Sequence, residues 1–571
     1  MDPDYNPMSC PPVPVNQHER FKQYRQRKII FIILISITVL SMLLIVIIPC
    51  VYIFVIKPRG INPFQSSTSF TPALSTIINH KEPVCVHRQF GIITPDILYS
   101  FDCLNVTDDI SGTYNGFPAA MSQTELDNET LQRMLPSYVT PDYSGQGAAL
   151  KLNSSIPYQY IELEHSPKFA NQTFTISAWV KPDLSALSLA VLLAQRYKNG
   201  GDHFFAVGII DRRPRIRVYN TYTETSVQLK NSQWQYVTYT FSQSDLSMAI
   251  RIDGLLKAYG TIASPQYGES QIETTTIGSA AEFNRYNGLI DQLLIAYRVK
   301  NRVDILDEAT LVICYRFEGD IANNDSLLND SSANCIRAQG ANLSRVVGSR
   351  RTGQGTLLLN DSSLSYFQSS GFALLYTHNY TYSYAFWISI SNASSNLILL
   401  HITMNDEISS SNSISTCLAM LIIDKIDPLN NTMQLSMYTY GPQGQNLIRS
   451  NVMMRQSTWY HIAVVSIINN FDLYLNAVLA GSLNTSNTFQ INNEQRLSLT
   501  IGNPSNESIQ NQSYSLMCHL NQKQMFSQGS SIAVDDLRFY ARQLKPKEIQ
   551  ALTDDVYSPS SWFYSENDNL L

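Results

Sequence analysis

Six landmarks occur in this chain, and all six occur a second time in the same order. Tyr99-Ser-Phe-Asp102 returns as Tyr315-Arg-Phe-Glu318, Gly145-Gln-Gly147 as Gly353-Gln-Gly355, and Phe174-Thr-Ile-Ser-Ala-Trp179 as Tyr382-Ser-Tyr-Ala-Phe-Trp387. Trp234-Gln-Tyr-Val returns as Trp459-Tyr-His-Ile, Thr276-Ile-Gly278 as Thr500-Ile-Gly502, and Leu289-Ile-Asp291 as Ala533-Val-Asp535. Partners stand 208 to 244 residues apart, so most of the chain reads as two copies of one domain. Within each copy, short apolar runs alternate with polar residues and are separated by Gly, Asn, Asp and Pro, the period-2 pattern of half-buried strands. The fold class that follows is all-β, two jelly-roll β-sandwiches in tandem.

Each copy supplies the same parts. Trp179, Trp234, Trp387 and Trp459 are the bulkiest side chains of these strands and are expected to fill the space between the sheets. Arg251-Ile-Asp253-Gly254-Leu predicts a two-residue hairpin turn, because Asp-Gly tolerates positive φ at both central positions. The second copy has Asn476-Ala477 there, and the steric cost of alanine at positive φ predicts a different turn. A short helix is expected after each last strand, at Arg302 to Leu311 and at Lys545 to Leu552.

Ahead of the copies stands Ile29 to Ile56, 28 residues without a charged side chain. A helix needs roughly 20 apolar residues to cross a hydrocarbon core, so this run is expected to span a membrane. Arg20, Lys22, Arg25, Arg27 and Lys28 crowd its amino side, against Lys57 and Arg59 on the other, which holds the amino terminus in the cytosol and predicts a type II single-pass topology. A signal peptide would show an apolar core of only about 7 to 15 residues. Fourteen Asn-x-Ser/Thr sequons agree with that orientation, since all lie after the run: Asn105, Asn128, Asn153, Asn171, Asn324, Asn329, Asn342, Asn360, Asn379, Asn392, Asn430, Asn484, Asn506 and Asn511. Past the run there are six cysteines, an even number, and short loop closure favours Cys85 with Cys103, Cys314 with Cys335, and Cys417 with Cys518. The net charge is −6 although the first 28 residues carry five basic and three acidic side chains. The remainder is acidic and offers nucleic acid no positive field.

The Trp strands, the Trp hairpins, the Ile-Gly turns and the last strands with their trailing helices resemble, in this order, the laminin G-like jelly-roll domains of the concanavalin A-like lectin/glucanase superfamily. The second copy departs in having no glycine for Gly254 or Gly288. The resemblance implies a non-enzymatic adhesion or recognition protein that binds glycan or protein ligands. The organisation expected is a disordered cytosolic tail (1–28), a transmembrane helix (29–56), an extracellular stalk (57–83), two laminin G-like domains (84–309 and 310–553) and a C-terminal tail (554–571), with the domains outside the plasma membrane.

A glucanase of this superfamily would need two carboxylates about 5 to 10 Å apart on one strand face. Glu125-Leu-Asp127-Asn128-Glu129 has the alternation, but Asn128 opens a sequon where an apolar residue is expected, and the second copy has no counterpart. No catalytic residue is assigned, and a membrane-anchored glycoside hydrolase is the alternative reading. Motifs for zinc proteases, serine hydrolases and paired-cysteine zinc sites do not occur. The resemblance leaves calcium open as a cofactor, with Asp183, Asp202 and Asp253 as carboxylates in separate loops. Asp291 and Asp535 open the last strands and are expected to anchor a neighbouring loop. The sharpest surface feature is Arg212-Arg213-Pro214-Arg215-Ile216-Arg217-Val218. Period two puts Arg213, Arg215 and Arg217 on one strand face, a positive row suited to a sulfated or otherwise anionic glycan, or to repelling edge-to-edge strand pairing.

Overall fold

The computed structural model describes residues 96–102, 107–109, 111–119, 134–145, 147–156, 159–183, 189–197, 205–219, 221–262, 272–279, 285–317, 327–347, 355–359, 365–372, 381–393, 397–406, 416–442, 444–467, 469–485, 495–502 and 531–554. The first fifteen strands are β1 (Ile97–Tyr99), β2 (Gly116–Ala119), β3 (Ser137–Val139), β4 (Ala149–Leu152), β5 (Tyr160–Leu163), β6 (Phe174–Pro182), β7 (Leu189–Tyr197), β8 (Phe205–Ile210), β9 (Arg213–Val218), β10 (Thr221–Glu224), β11 (Gln235–Ser242), β12 (Ser247–Ile252), β13 (Leu255–Thr261), β14 (Ile272–Ile277) and β15 (Gly288–Ala296). Helix α1 (Arg302–Thr310) follows. The next fifteen are β16 (Leu311–Tyr315), β17 (Gln339–Ala341), β18 (Leu343–Val347), β19 (Gly355–Leu359), β20 (Tyr366–Ser370), β21 (Tyr382–Ser391), β22 (Leu397–Asp406), β23 (Thr416–Asp427), β24 (Thr432–Gly441), β25 (Gly444–Arg455), β26 (Tyr460–Ile467), β27 (Asn470–Leu475), β28 (Val478–Asn484), β29 (Gln495–Gly502) and β30 (Ser531–Tyr540), then helix α2 (Pro546–Thr553).

The first set forms one sheet in the order β13-β12-β11-β6-β15-β4-β3, with β1 also on β15, and a seven-stranded sheet in the order β10-β9-β8-β7-β14-β5-β2. Adding fifteen to every strand number gives the two sheets of the second set, strand for strand. The repeated landmarks therefore encode one topology twice. In the first sandwich Phe174, Ile176, Ala178 and Val180 of β6 face Leu193, Val207 and Ile216 across the gap between sheets, and in the second Tyr384, Phe386 and Ile388 of β21 face Leu400, Leu421 and Met437. Each Val, Leu, Ile, Phe or Met side chain among these contributes about 1.5–3 kcal/mol when fully buried.

The tryptophans do not fill these cores. Ala178 and Val180 point between the sheets, so Trp179 must point the other way. It is buried there because it stacks on Tyr143 at 4.5 Å, lies 5.1 Å from Tyr236, and shares an apolar cluster with Ile305 and Ala309 of α1. Trp387 occupies the same outer face of the second sandwich, 5.3 Å from His461, and Trp234 and Trp459 are half-buried. The outer face of each eight-stranded sheet is thus a second packing surface, covered by the trailing helix. Asn301 caps α1 by accepting from Asp304 N at 2.8 Å, and α2 begins with Pro546 and a Glu548 carboxylate that accepts from Lys545 N at 2.8 Å.

The sandwiches are joined without a linker, since α1 ends at Thr310 and β16 begins at Leu311. Tyr143 Oη donates to Asn334 Oδ1 at 2.6 Å and Gln292 Nε2 to Ala333 O at 2.7 Å, so residues of the first copy bond directly to the second. Arg542, beside α2, donates to Asp307 and Thr310 of α1 and to Glu548 of α2.

Two further expectations are corrected. The second hairpin turns as the first does: Asp253 and Gly254 have φ of 51° and 80°, and Asn476 and Ala477 have 48° and 62°. The first turn residue decides this, because Asp253 Oδ1 accepts from Tyr236 N at 2.9 Å and Asn476 Oδ1 accepts from His461 N at 2.8 Å. The second correction concerns the Cys314–Cys335 bridge, which is not formed. Cys314 is buried with its thiol pushed up to about 11 by that burial, while Cys335 turns its Sγ toward Ser332 O at 3.8 Å. Cys417 is in a disulfide, and its expected partner Cys518 lies outside the described residues, as do Cys85 and Cys103. Among the described residues no helix is long and apolar enough to cross a membrane; the run Ile29 to Ile56 lies outside them.

Candidate ligand-binding site

Strand β9 forms as its alternation requires. Pro214, Ile216 and Val218 are buried, the last two in the sandwich core, and Arg213, Arg215 and Arg217 are half-buried on the outer face of the seven-stranded sheet. The strand lies inside the sheet, between β8 and β10, so protection of an edge is the task of β10.

β10 also supplies what the arginine row alone does not reveal. Arg215 Nε donates to Glu224 Oε2 at 2.7 Å, its Nη2 bonds the same oxygen, and Arg213 Nη1 lies 3.7 Å from Glu224 Oε1. The Arg215 guanidinium rests 4.2 Å above the ring of Tyr222, which is 56% exposed. Arg217 Nε donates to Tyr219 O at 3.0 Å. One carboxylate among three guanidiniums leaves a positive patch whose members are held in place, so little ordering entropy remains to be lost on binding. Ion pairs at such partly exposed sites contribute about 0–1 kcal/mol, and a sulfate or carboxylate that makes paired hydrogen bonds can compete with Glu224.

Register extends the site across the sheet. Tyr222, Arg217, Ala206, Ala194, Thr276, Glu162 and Phe117 lie side by side on seven successive strands and point to the same outer face. At about 4.8 Å per strand, Arg217 and Thr276 are roughly 14 Å apart, with only two methyl side chains between them. The corresponding row of the second sandwich is Leu447, Tyr438, Met420, His401, Thr500, Gln368 and Gln339. Its centre is filled by methionine and histidine, and it has no arginine. Burial pushes the His401 imidazole down to about 4, so it is neutral at physiological pH.

The other candidates are dispersed. Asp253 is committed to its hairpin turn, and Asp183 N donates to Asn287 O at 2.9 Å beside β6. Asp202, Glu125, Asp127, Asn128 and Glu129 lie outside the described residues. Among the described residues no group of three or more His, Cys, Asp and Glu is arranged to hold a metal ion. Asp291 is fully buried and its Oδ1 accepts from Gln292 N at 2.8 Å, which shapes the bulge from which Gln292 reaches the second sandwich.

A family model described as the concanavalin A-like lectin/glucanases superfamily, of laminin G type, matches residues 154–306 and 361–550. Among solved structures the chain is similar to the binding domain of Paraclostridial mosquitocidal protein 1, at 14% identity and TM-score 0.30 over 44% of this chain and 53% of that one. It is similar to domain 4 of AbnA, an extracellular arabinanase from Geobacillus stearothermophilus, in complex with arabinotriose, at 16% identity and TM-score 0.30 over 38% of this chain and 97% of that one. It is also similar to the CBM40 of Ruminococcus gnavus IT-sialidase bound to α2,3-sialyllactose, at 14% identity and TM-score 0.25 over 28% of this chain and 94% of that one. The chain spans about half the length of the first of these. No curated protein matches it in sequence.

Proposed function

Because the chain belongs to the concanavalin A-like lectin/glucanase superfamily, with two of its sandwiches in tandem, we propose that it is a non-enzymatic recognition protein of the cell surface whose first sandwich binds an anionic glycan. The sandwiches stand outside the plasma membrane on a type II helix at residues 29–56, with 57–83 as a stalk. The observation that carries this reading is the outer face of β9 and β10, where Glu224 holds the guanidiniums of Arg213 and Arg215, Tyr222 lies under that of Arg215, and Tyr219 O holds that of Arg217. The second sandwich has the same topology but fills the equivalent face, so the first copy is the ligand-binding one.

The test uses the full-length chain solubilised in detergent and passed over immobilised heparin. The parent is expected to elute at higher salt than a variant carrying Arg213→Ser, Arg215→Ser and Arg217→Ser. Co-elution of the two would refute the site. Release of reducing sugar from β-glucans, lost on Glu125→Gln with Glu129→Gln, would replace this reading with that of a glycoside hydrolase.

A further inference from the structure

The positive face does not end at β9. Strand β7 turns Leu193 and Gln195 inward and Ala194 and Arg196 outward, as period two requires. Gln195 is fixed on the inner side, where its Nε2 donates to Pro167 O at 2.6 Å and to Thr275 Oγ1 at 3.0 Å. Arg196 is therefore an exposed residue of the same outer face as Arg217. It pairs with Thr274 of β14, two residues along from the pairing of Ala194 with Thr276. Two strand spacings across and two residues along put the Cα atoms of Arg217 and Arg196 about 12 Å apart.

Between these guanidiniums the sheet carries only small side chains. Ala206 and Ala194, both buried, continue the row from Arg217, and Gly208 faces Arg215. A Cβ at Gly208 would lie 2.3 Å from Ala190 O, so the backbone of β7 itself keeps that position bare. A trough across β8 and β7 follows, with arginines on both sides and Tyr222 at its outer end on the edge strand β10. Past Thr276 the row meets Glu162, which repels an anion, so the favourable path turns from Arg217 toward Arg196. In the second sandwich Thr403 stands in the place of Arg196, paired with Ser498 as Arg196 is with Thr274.

We infer that the glycan crosses the strands in this trough, with one anionic group on Arg215 and Arg217 and the next on Arg196. The ligand is then an internal stretch of a linear polysaccharide with sulfate or carboxylate on successive disaccharides, not a terminal acidic sugar. The inference rests on the reading that the first sandwich binds anionic glycan. A single acidic sugar reaches only one of two sites about 12 Å apart, a separation close to the length of an extended disaccharide unit. A chain engages both, each through paired, charge-assisted hydrogen bonds, and makes the second contact at the high effective concentration set by the first. A course along β9 from Arg217 to Arg213 offers less. Arg213 and Arg215 share the Glu224 carboxylate, which a chain lying over both has to displace.

The full-length chain in detergent, carrying Asn171→Gln, is titrated with end-labelled heparin-derived disaccharide and hexasaccharide and followed by fluorescence anisotropy. That substitution removes the sequon beside Ala170, on the segment whose Pro167 meets Gln195, so that no attached oligosaccharide covers Arg196. This parent should bind the hexasaccharide about ten-fold or more tighter than the disaccharide. Arg196→Ser should weaken the hexasaccharide about five-fold, the upper worth of an exposed ion pair, and by more than Arg213→Ser does. Arg196→Lys should recover most of that loss. Parental hexasaccharide affinity after Arg196→Ser, or a larger loss after Arg213→Ser, would overturn the crossing path and leave the anionic-glycan reading standing. Equal affinity of the parent for the two lengths would overturn the polymeric ligand in the same way. A parent that binds neither length would refute the anionic-glycan reading itself.

Discussion

Replacing Gly254 with alanine should be among the costliest single-methyl additions in the first sandwich. At φ 80° a non-glycine residue costs about 1–2 kcal/mol. The new Cβ would also lie 2.7 Å from Leu306 Cδ1 and 2.8 Å from Leu306 Cα. The Cδ1 can rotate away, but the Cα belongs to α1, which is held by its Asn301 cap and by Ala541 N donating to Thr310 O at 2.7 Å. Forcing a packed element to retreat costs a further 1–3 kcal/mol or so, for a total of roughly 2–5 kcal/mol. The reciprocal change, Ala477→Gly, relieves the same backbone strain but removes a methyl group packed against the Leu544–Ile549 cluster. A methyl is worth about 0.8 kcal/mol, so this variant should fall within about 0.5 kcal/mol of the parent. Urea unfolding followed by tryptophan fluorescence suits the pair, because Trp179 and Trp234 lie near α1. A Gly254→Ala protein within 0.5 kcal/mol of the parent would refute the close-packing argument.

Acid stability should reflect two buried groups with opposite signs. His401 is held near 4 against 6.5 by burial, so its contribution is present above pH 6.5 and is lost as pH falls toward 4. That full depression would be worth roughly 3 kcal/mol, and the surface His401 retains reduces this to about 1–2 kcal/mol, the amount by which His401→Met should flatten the acid limb of a denaturation series. Asp330 is raised to about 6 by burial; its contribution is complete below pH 3.8 and is lost as pH rises through 6. Asp330→Ala should nevertheless destabilise the second sandwich by about 2–4 kcal/mol at neutral pH, since it strands Cys314 N, Ser332 N and Ile336 N, and calorimetry showing no change would contradict that account. Tyr143→Phe should cost about 1–2 kcal/mol by leaving Asn334 Oδ1 without its donor, a loss that amide exchange would register in both sandwiches.

The tandem was legible because a strand pattern repeated in order is difficult to produce except by repeating a topology. What stayed hidden was burial on the far side of a strand. β6 is buried from Phe174 through Val180, so alternation there could not tell the core face of Ile176 from the helix-covered face of Trp179. The hairpin at Asn476-Ala477 was misread because a side-chain-to-backbone bond outweighed alanine's reluctance. The arginine row was visible by period, whereas Glu224 and Tyr222 became part of the site only through the β9–β10 register. The spacing Tyr222-x-Glu224, just past the arginines, was the signal that could have shown it.

The central claim is that the first sandwich binds anionic glycan on its β9–β10 face while the second does not. Hydrogen–deuterium exchange of the full-length chain, with and without a heparin-derived oligosaccharide, tests it most directly. Slowed exchange across Arg213 to Glu224, with no change across the equivalent Thr432 to Arg455, is the predicted result. Protection confined to the second sandwich, or absent from both at a saturating ligand concentration, would contradict it.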